Sequence, residues 1–138
     1  MAQKKKRRKN SPRKKMLNTL DGLIRDIVRL IHRDRCYKCN KAVYGSESHP
    51  HHIIAKGNGA NWRRFDLRNV ILLGYSCHQQ WHDNPTETIP WWETTAIYRS
   101  VNAYLDRYRG GKSAKITDAE MEDLIVEYKA KRKELQEE

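Results

Sequence analysis

Long apolar runs are absent from this chain, and no stretch approaches the ~18 apolar residues that a membrane-spanning helix requires. Nothing like the apolar core of a signal peptide follows the basic residues at the start. Cysteine is also scarce, and the three that are present cannot all pair as disulfides within one chain. We therefore expect a cytoplasmic, intracellular protein with no membrane partner, whose thiols are reduced and available to a metal.

Apolar residues make up only 38% of the 138 residues, whereas charged residues make up 33%. A chain of this length suits one compact domain with an extension. Its core must be modest and would gain from reinforcement, which a bound metal can supply.

Acidic residues are missing from residues 1–15, which contain nine lysines and arginines. Since the whole chain carries a net charge of +11, the other 123 residues account for only +2. The pattern predicts a disordered basic arm over residues 1–15 that is attracted to nucleic-acid phosphates. A solubilising tail or a nuclear import signal would have the same composition. The arm's densest part comprises Lys4, Lys5, Lys6, Arg7, Arg8 and Lys9.

Apolar residues recur at helical spacing from Met16 to Arg33, with charged residues on the opposite side. This predicts an amphipathic helix that covers the core. Two short strands are predicted next, one around His51 and one over Arg68–Leu73, separated by a loop rich in glycine and asparagine. Cys77–Asp83 predicts a short helix that Pro85 prevents from continuing far.

The C-terminal third predicts two further helices. Pro90 suits the first turn of one, which the glycine pair at 110–111 ends. Thr117 and Glu120 form the pattern of a capping box at the start of the other, with Ile116 and Met121 placed as a hydrophobic staple.

Five of the six histidines fall between positions 49 and 82. His78 and His82 are four residues apart and should share one helix face, where two imidazoles can reach one cation. Cys77 should point to a different face and serve a different ion. Strand alternation sends His51 and His52 to opposite sides, so that one can bind a metal while the other remains a free general base. Asn69 opens the second predicted strand and is expected to hold an imidazole in one tautomer.

The combined pattern of His51-His52, Asn69, Cys77-His78 and His82 resembles the HNH endonuclease family of the ββα-metal fold. The segment LRNVILLGYSCHQQWHDNP is particularly similar to small phage-type members of this family. The pair Cys36 and Cys39 resembles members that add a structural zinc. The resemblance implies an α+β protein with a ββα-metal (HNH) core, an N-terminal helix and two C-terminal helices. Residues 16–85 would form the nuclease domain with a zinc-knuckle-like cysteine pair, and residues 86–138 a helical extension.

The resemblance also implies a role for each matching residue. His51, His78 and His82 would bind one catalytic cation, with Mg²⁺, Mn²⁺, Ni²⁺ and Zn²⁺ all left open. His52 would be the general base that activates water, and Asn69 would orient it. The cation would stabilise charge on the phosphate and on the leaving 3′ oxygen, and the products would carry 5′-phosphate and 3′-OH ends.

One position departs from the family pattern. Zinc-bearing members have a second Cys-x-x-Cys pair, whose first cysteine should fall at position 74, where this chain has Gly74. A structural zinc would be bound only by Cys36, Cys39 and Cys77, whereas a closed zinc site requires four ligands. The candidates for the fourth ligand are His49, His32 and water, and a weakened or absent zinc is the alternative.

Lys56, Arg63, Arg64 and Arg68 surround the histidines in sequence and are expected to contact DNA phosphates. The expected function is metal-dependent cleavage of DNA, by a homodimer or together with other DNA-processing proteins. Two alternatives remain at this point. One is a non-catalytic zinc-knuckle module for DNA binding or assembly, and the other is a nuclease for RNA or branched recombination intermediates.

Overall fold

The computed structural model describes residues 10–138, and within them the protein is α+β. The two strands are β1, Ser48–His52, and β2, Val70–Gly74. The six α-helices are α1, Pro12–Ile31; α2, Trp62–Phe65; α3, Tyr75–Asp83; α4, Pro85–Glu93; α5, Ala96–Leu105; and α6, Asp118–Gln136. Short 3₁₀ turns occur at Gly45–Glu47, Leu67–Asn69 and Asp106–Gly111.

Helix α1 begins at Pro12 rather than at Met16, because the Ser11 side chain accepts a hydrogen bond from the Lys14 N–H and Pro12 suits a first turn. The last four residues of the predicted arm are therefore helical. The part of the arm over residues 1–9 lies outside the described residues. The predicted apolar stripe is confirmed, since six of its residues are buried: Leu17, Leu20, Leu23, Ile24, Ile27 and Val28.

Strands β1 and β2 pair antiparallel, with His49 opposite Leu73 and His51 opposite Ile71. The second strand starts at Val70, two residues later than expected. Asp66 causes the delay, because its carboxylate accepts a hydrogen bond from the Arg68 N–H and closes the turn before the strand. All five residues of β2 are buried, and α1 packs against the sheet.

Helix α3 ends at Asp83 as expected, but Pro85 begins a new helix at once. Pro90 lies inside α4 rather than at a helix start, so the single helix predicted after it is wrong. Thr94 and Thr95 divide it, since their hydroxyls donate to the carbonyl oxygens of Trp91 and Trp92. The Thr95 hydroxyl then accepts from the N–H of Tyr98 and caps α5. The glycine pair at 110–111 ends the following 3₁₀ segment with φ of 76° at both residues.

Helix α6 confirms the capping box of Thr117 and Glu120, and both staple residues, Ile116 and Met121, are buried. The helix lies along α1, and Arg132 donates a 2.9 Å hydrogen bond to Asp26 of that helix. The C-terminal segment thus contributes to the same hydrophobic core as α1 and the sheet.

Candidate metal centre

Three imidazoles converge where β1 meets α3. His51 reaches the cluster from the buried side of the strand, and His78 and His82 reach it from one face of the helix. One ligand nitrogen from each lies within 4.8 Å of the others, and the Nε2 atoms of His78 and His82 are 3.1 Å apart. His82 is exposed, so solvent and a solute can approach this cluster from one side.

The buried member of the cluster gives the strongest indication that these residues can hold a metal ion. His51 is 3% exposed, and its Nε2 has no hydrogen-bond partner among the described residues. An unpaired buried nitrogen costs roughly 1–3 kcal/mol, and such groups are rare unless an ion or water satisfies them. Burial, reinforced by His78 and His82, lowers the pKa of His51 to about 3, which keeps the ring neutral and able to donate a lone pair. These residues fit a divalent transition-metal ion.

Trp81 is a site residue that sequence reasoning missed. Its ring centroid lies 4.4 Å from that of His51 at an angle of 52°, and it is itself buried between the strand and α4. Its position directly before His82 was the available signal, because a large aromatic beside a ligand can hold a neighbouring ring in place.

His52 points away from the cluster, as alternation predicts. Its Nε2 donates a 2.8 Å hydrogen bond to the carbonyl oxygen of Arg64. Because a carbonyl only accepts, the proton sits on Nε2 and the other ring nitrogen, Nδ1, keeps its lone pair. Burial lowers the pKa of His52 further than the Arg64 hydrogen bond raises it, with Lys56 also lowering it. The ring is therefore neutral near pH 7, which is the form a general base requires.

The predicted hydrogen bond from Asn69 to an imidazole is wrong. Asn69 is fully buried. Its Oδ1 accepts from the N–H of Ile54, and its Nδ2 donates to the carbonyl oxygens of Ile54 and Arg63, all at 2.8–2.9 Å. It therefore fixes the backbone at Ile54 and at Arg63, which directly precedes the residue whose carbonyl His52 contacts. The 3₁₀ turn explains the error, since it places Asn69 ahead of the strand.

The three cysteines form a second cluster, with their sulfur atoms within 4.8 Å of one another. Burial raises the pKa of the Cys36 thiol, but hydrogen bonds from the backbone at Cys39, Gly74 and Lys38 outweigh it and leave the pKa below its usual value. Burial and the neighbouring sulfurs raise that of Cys77 to about 12. Cys77 and His78 are adjacent on α3, but they belong to separate clusters, as the helical geometry predicts.

His49 is not the fourth ligand of the cysteine cluster, so that prediction is wrong. It shares a strand face with His51, and its Nδ1 lies 2.9 Å from Nδ1 of His78. His32 packs on Tyr37 instead, and within residues 10–138 the cysteine group has only three members. A cavity of about 220 Å³ borders Cys39, Gly74 and Cys77, which leaves room for a ligand in addition to the three cysteines.

Replacing Gly74 with cysteine should complete the cysteine site and raise its Zn²⁺ affinity by at least roughly tenfold. A Cβ at this position would lie 3.9 Å from the Cys36 sulfur and 3.1 Å from Val43, which must shift slightly. Competition with a chromophoric chelator measures the change. Gly74→Ser is the matched control, because it adds the same Cβ without a thiolate. Equal affinities for the two variants would contradict the prediction.

Only two of the four predicted phosphate contacts are free to reach DNA. Arg64 is wrong as a contact, because its guanidinium forms a two-point ion pair with Asp21 at 2.7 and 3.1 Å and its side chain is only 12% exposed. The Arg63 side chain donates hydrogen bonds to the carbonyl oxygens of Ala55 and Gly111, so its guanidinium is already engaged within the protein. Lys56 is exposed, and Arg68 is exposed above the ring of Tyr104.

Lowering the pH should destabilise the metal-free protein through His51. Its pKa falls from 6.5 to about 3 on folding, so between these values the unfolded chain binds a proton that the folded protein excludes. The contribution of His51 to the free energy of unfolding is therefore complete above pH 6.5. It decreases as the pH falls, by up to about 1.4 kcal/mol per pH unit. Urea unfolding in EDTA at pH 7.5 and pH 5 measures it. A His51→Gln variant with an equally steep pH dependence would refute the assignment.

Comparisons with models of known protein families, with curated proteins and with solved structures found no match for this chain. Across residues 10–138, none of the helices combines the length and apolar character needed to cross a membrane. Function must therefore be inferred from the chemistry of the two clusters and of His52.

Proposed function

We propose that this protein is a metal-dependent endonuclease that hydrolyses DNA phosphodiester bonds at a ββα-metal centre of the HNH type. One observation carries the proposal: adjacent histidines on β1 have opposite environments. His51 belongs to a cluster of three imidazoles, and its Nε2 has no hydrogen-bond partner among the described residues. His52 is a neutral imidazole whose Nε2–H donates a hydrogen bond to the carbonyl oxygen of Arg64. A protein that only binds DNA needs no such base beside a metal site, which argues against the non-catalytic module.

His51, His78 and His82 would hold one divalent cation. When bound, that cation supplies Lewis-acid stabilisation of the negative charge that grows on the phosphate and on the leaving oxygen. Three imidazoles favour zinc or nickel in affinity, whereas magnesium and manganese are the usual ions for phosphate chemistry, so the working ion is left to experiment.

His52 takes a proton from the attacking water on its free ring nitrogen, while its Nε2–H stays on the Arg64 carbonyl. The oxygen of that water forms a bond to phosphorus as the bond to the 3′ oxygen breaks. The leaving oxygen takes a proton from solvent water, His52 returns its proton to solvent, and the products carry a 5′-phosphate and a 3′-OH. Because His52 makes the nucleophile, the proposal needs only one metal ion.

The substrate is proposed to be DNA, held by charge rather than by base reading. Lys56 and Arg68 are exposed cations in the segment that joins β1 to β2, and the basic residues 4–9 would add salt-dependent affinity. Sequence preference should be weak. One site cuts one strand, so a single encounter should nick duplex DNA.

The test is nicking of supercoiled plasmid by the purified protein, scanned over Mg²⁺, Mn²⁺, Ni²⁺ and Zn²⁺ with EDTA as the blank. We expect metal-dependent nicks that a DNA ligase reseals, since resealing requires 5′-phosphate and 3′-OH ends. Folded protein that binds DNA but does not cut with any of these ions would favour the binding module. Preferential cutting of RNA or of four-way junctions in competition would redirect the substrate assignment.

A further inference from the structure

His49 is a fourth imidazole next to the metal cluster, and neither the metal ligands nor the base accounts for it. It lies on the same face of β1 as His51 and packs edge-on against Tyr75 at a ring-centroid distance of 5.6 Å. Both of its ring nitrogens are engaged. Nε2 is 2.7 Å from the carbonyl oxygen of Ser46, and Nδ1 is 2.9 Å from Nδ1 of His78.

We propose that His49 is a positioning residue that fixes the tautomer and orientation of His78, so that the Nε2 lone pair of His78 is presented to the metal. The proposal rests on the metal site of the proposed function, but it does not depend on DNA cleavage.

The protons along this chain of contacts can be assigned from the Ser46 end. A carbonyl oxygen only accepts, so Nε2 of His49 carries a proton. In the neutral imidazole, Nδ1 of His49 is then bare and accepts from His78. Nδ1 of His78 must therefore carry its proton, which leaves Nε2 of His78 bare.

The bare nitrogen is also the one that faces the cluster. Nε2 of His78 lies 3.1 Å from Nε2 of His82, while its Nδ1 side is taken by His49. The opposite tautomer would put a proton on Nε2, between the two imidazoles that are to share an ion. The contact from His49 thus excludes the form of His78 that cannot bind.

The geometry of the backbone before β1 allows His49 to contact Ser46 and His78 at the same time. Ser46 belongs to the 3₁₀ turn Gly45–Glu47, whose first residue has φ of +55°, a conformation that glycine adopts without strain. This turn presents the Ser46 carbonyl to a residue only three positions away on the strand. With both nitrogens engaged, His49 holds His78 and is not itself a ligand in this arrangement.

Two substitutions separate this role from simple packing. His49→Gln keeps both contacts, because its side-chain oxygen can accept from His78 and its amide can donate to Ser46. His49→Leu fills similar space but can do neither. We expect the Leu variant to bind Ni²⁺ about 10–100-fold more weakly, and the Gln variant to remain within about threefold of wild type. Calorimetric titration with Ni²⁺ measures both, and the cysteine cluster, which is the same in all three proteins, contributes equally to each titration.

A second measurement reads the tautomer directly and needs no bound metal. Long-range ¹H–¹⁵N NMR correlation of wild-type protein in EDTA should show His78 protonated on Nδ1 and bare on Nε2. His78 protonated on Nε2 would overturn the proposal, as would equal Ni²⁺ affinities for the Leu variant and wild type. Absence of cleavage would count against the nuclease alone, because neither readout involves DNA.

Discussion

The His52→Ala variant is expected to nick supercoiled plasmid about 10²–10⁴-fold more slowly than wild type under single-turnover conditions, because it removes the proposed general base. His52 is not among the three imidazoles that converge on α3, so the variant should bind metal as wild type does. Loss of activity with intact metal binding is the signature of a base rather than of a ligand.

Two controls make the result interpretable. Ni²⁺ titration and thermal unfolding of His52→Ala should both stay close to wild type, because the lost hydrogen bond to the Arg64 carbonyl is a single, partly buried contact. His82→Ala should lose metal affinity and nicking together. A His52→Ala protein that nicks within about threefold of wild type would exclude His52 as the base, on a scale where base catalysis is worth 10²–10⁴.

Replacing Asn69 with alanine is expected to lower the free energy of unfolding by about 3 kcal/mol. The side chain is fully buried and makes three hydrogen bonds to backbone groups of Ile54 and Arg63. Removing it leaves those groups without partners, at roughly 1–3 kcal/mol for each group that water cannot reach. Urea unfolding in the presence of EDTA measures the change without a contribution from metal binding.

The same variant should also nick more slowly at temperatures where it remains folded. Asn69 fixes the segment that presents the Arg64 carbonyl to His52, so its loss frees the base to rotate. Asn58→Ala is the matched control, because Asn58 is exposed in the preceding loop and should change stability by less than about 0.5 kcal/mol. Equal stability losses for the two variants would contradict the role assigned to Asn69.

Local periodicity was enough to predict the core of the site. Alternation along β1 separates His51 from His52, and the four-residue spacing on α3 brings His78 and His82 to one side. Both rules act within one element and need no knowledge of the tertiary fold. The buried stripe of α1 and the capping box of α6 were predictable for the same reason.

Features that depend on distant partners were not predictable. Arg64 looked like a phosphate contact because its sequence neighbours are basic, but Asp21, 43 residues earlier on α1, binds its guanidinium. His49 was a candidate zinc ligand, and strand alternation already predicted that it shares a face with His51; its contact with His78 rather than with the cysteines depends on how β1 packs on α3. In each case the register and the packing of separate elements decided the contact.

The predicted helix boundaries were wrong where side chains compete with backbone N–H groups for the same carbonyl oxygens. The run from Pro90 onward has helical composition throughout, but the hydroxyls of Thr94 and Thr95 take up the carbonyls that would continue the helix. Threonine is compatible with a helix interior, so composition alone could not locate the break. The late start of β2 has a similar origin, because the carboxylate of Asp66 accepts a hydrogen bond from the Arg68 N–H.

The most direct test of the central claim is to follow metal binding and plasmid nicking in one titration of the wild-type protein. A single catalytic ion held by His51, His78 and His82 predicts that the nicking rate rises in step with one bound equivalent and then levels off. His51→Ala should lose the bound equivalent and the nicking together. Nicking that persists in His51→Ala, or that is unchanged when the bound ion is removed, would contradict the claim.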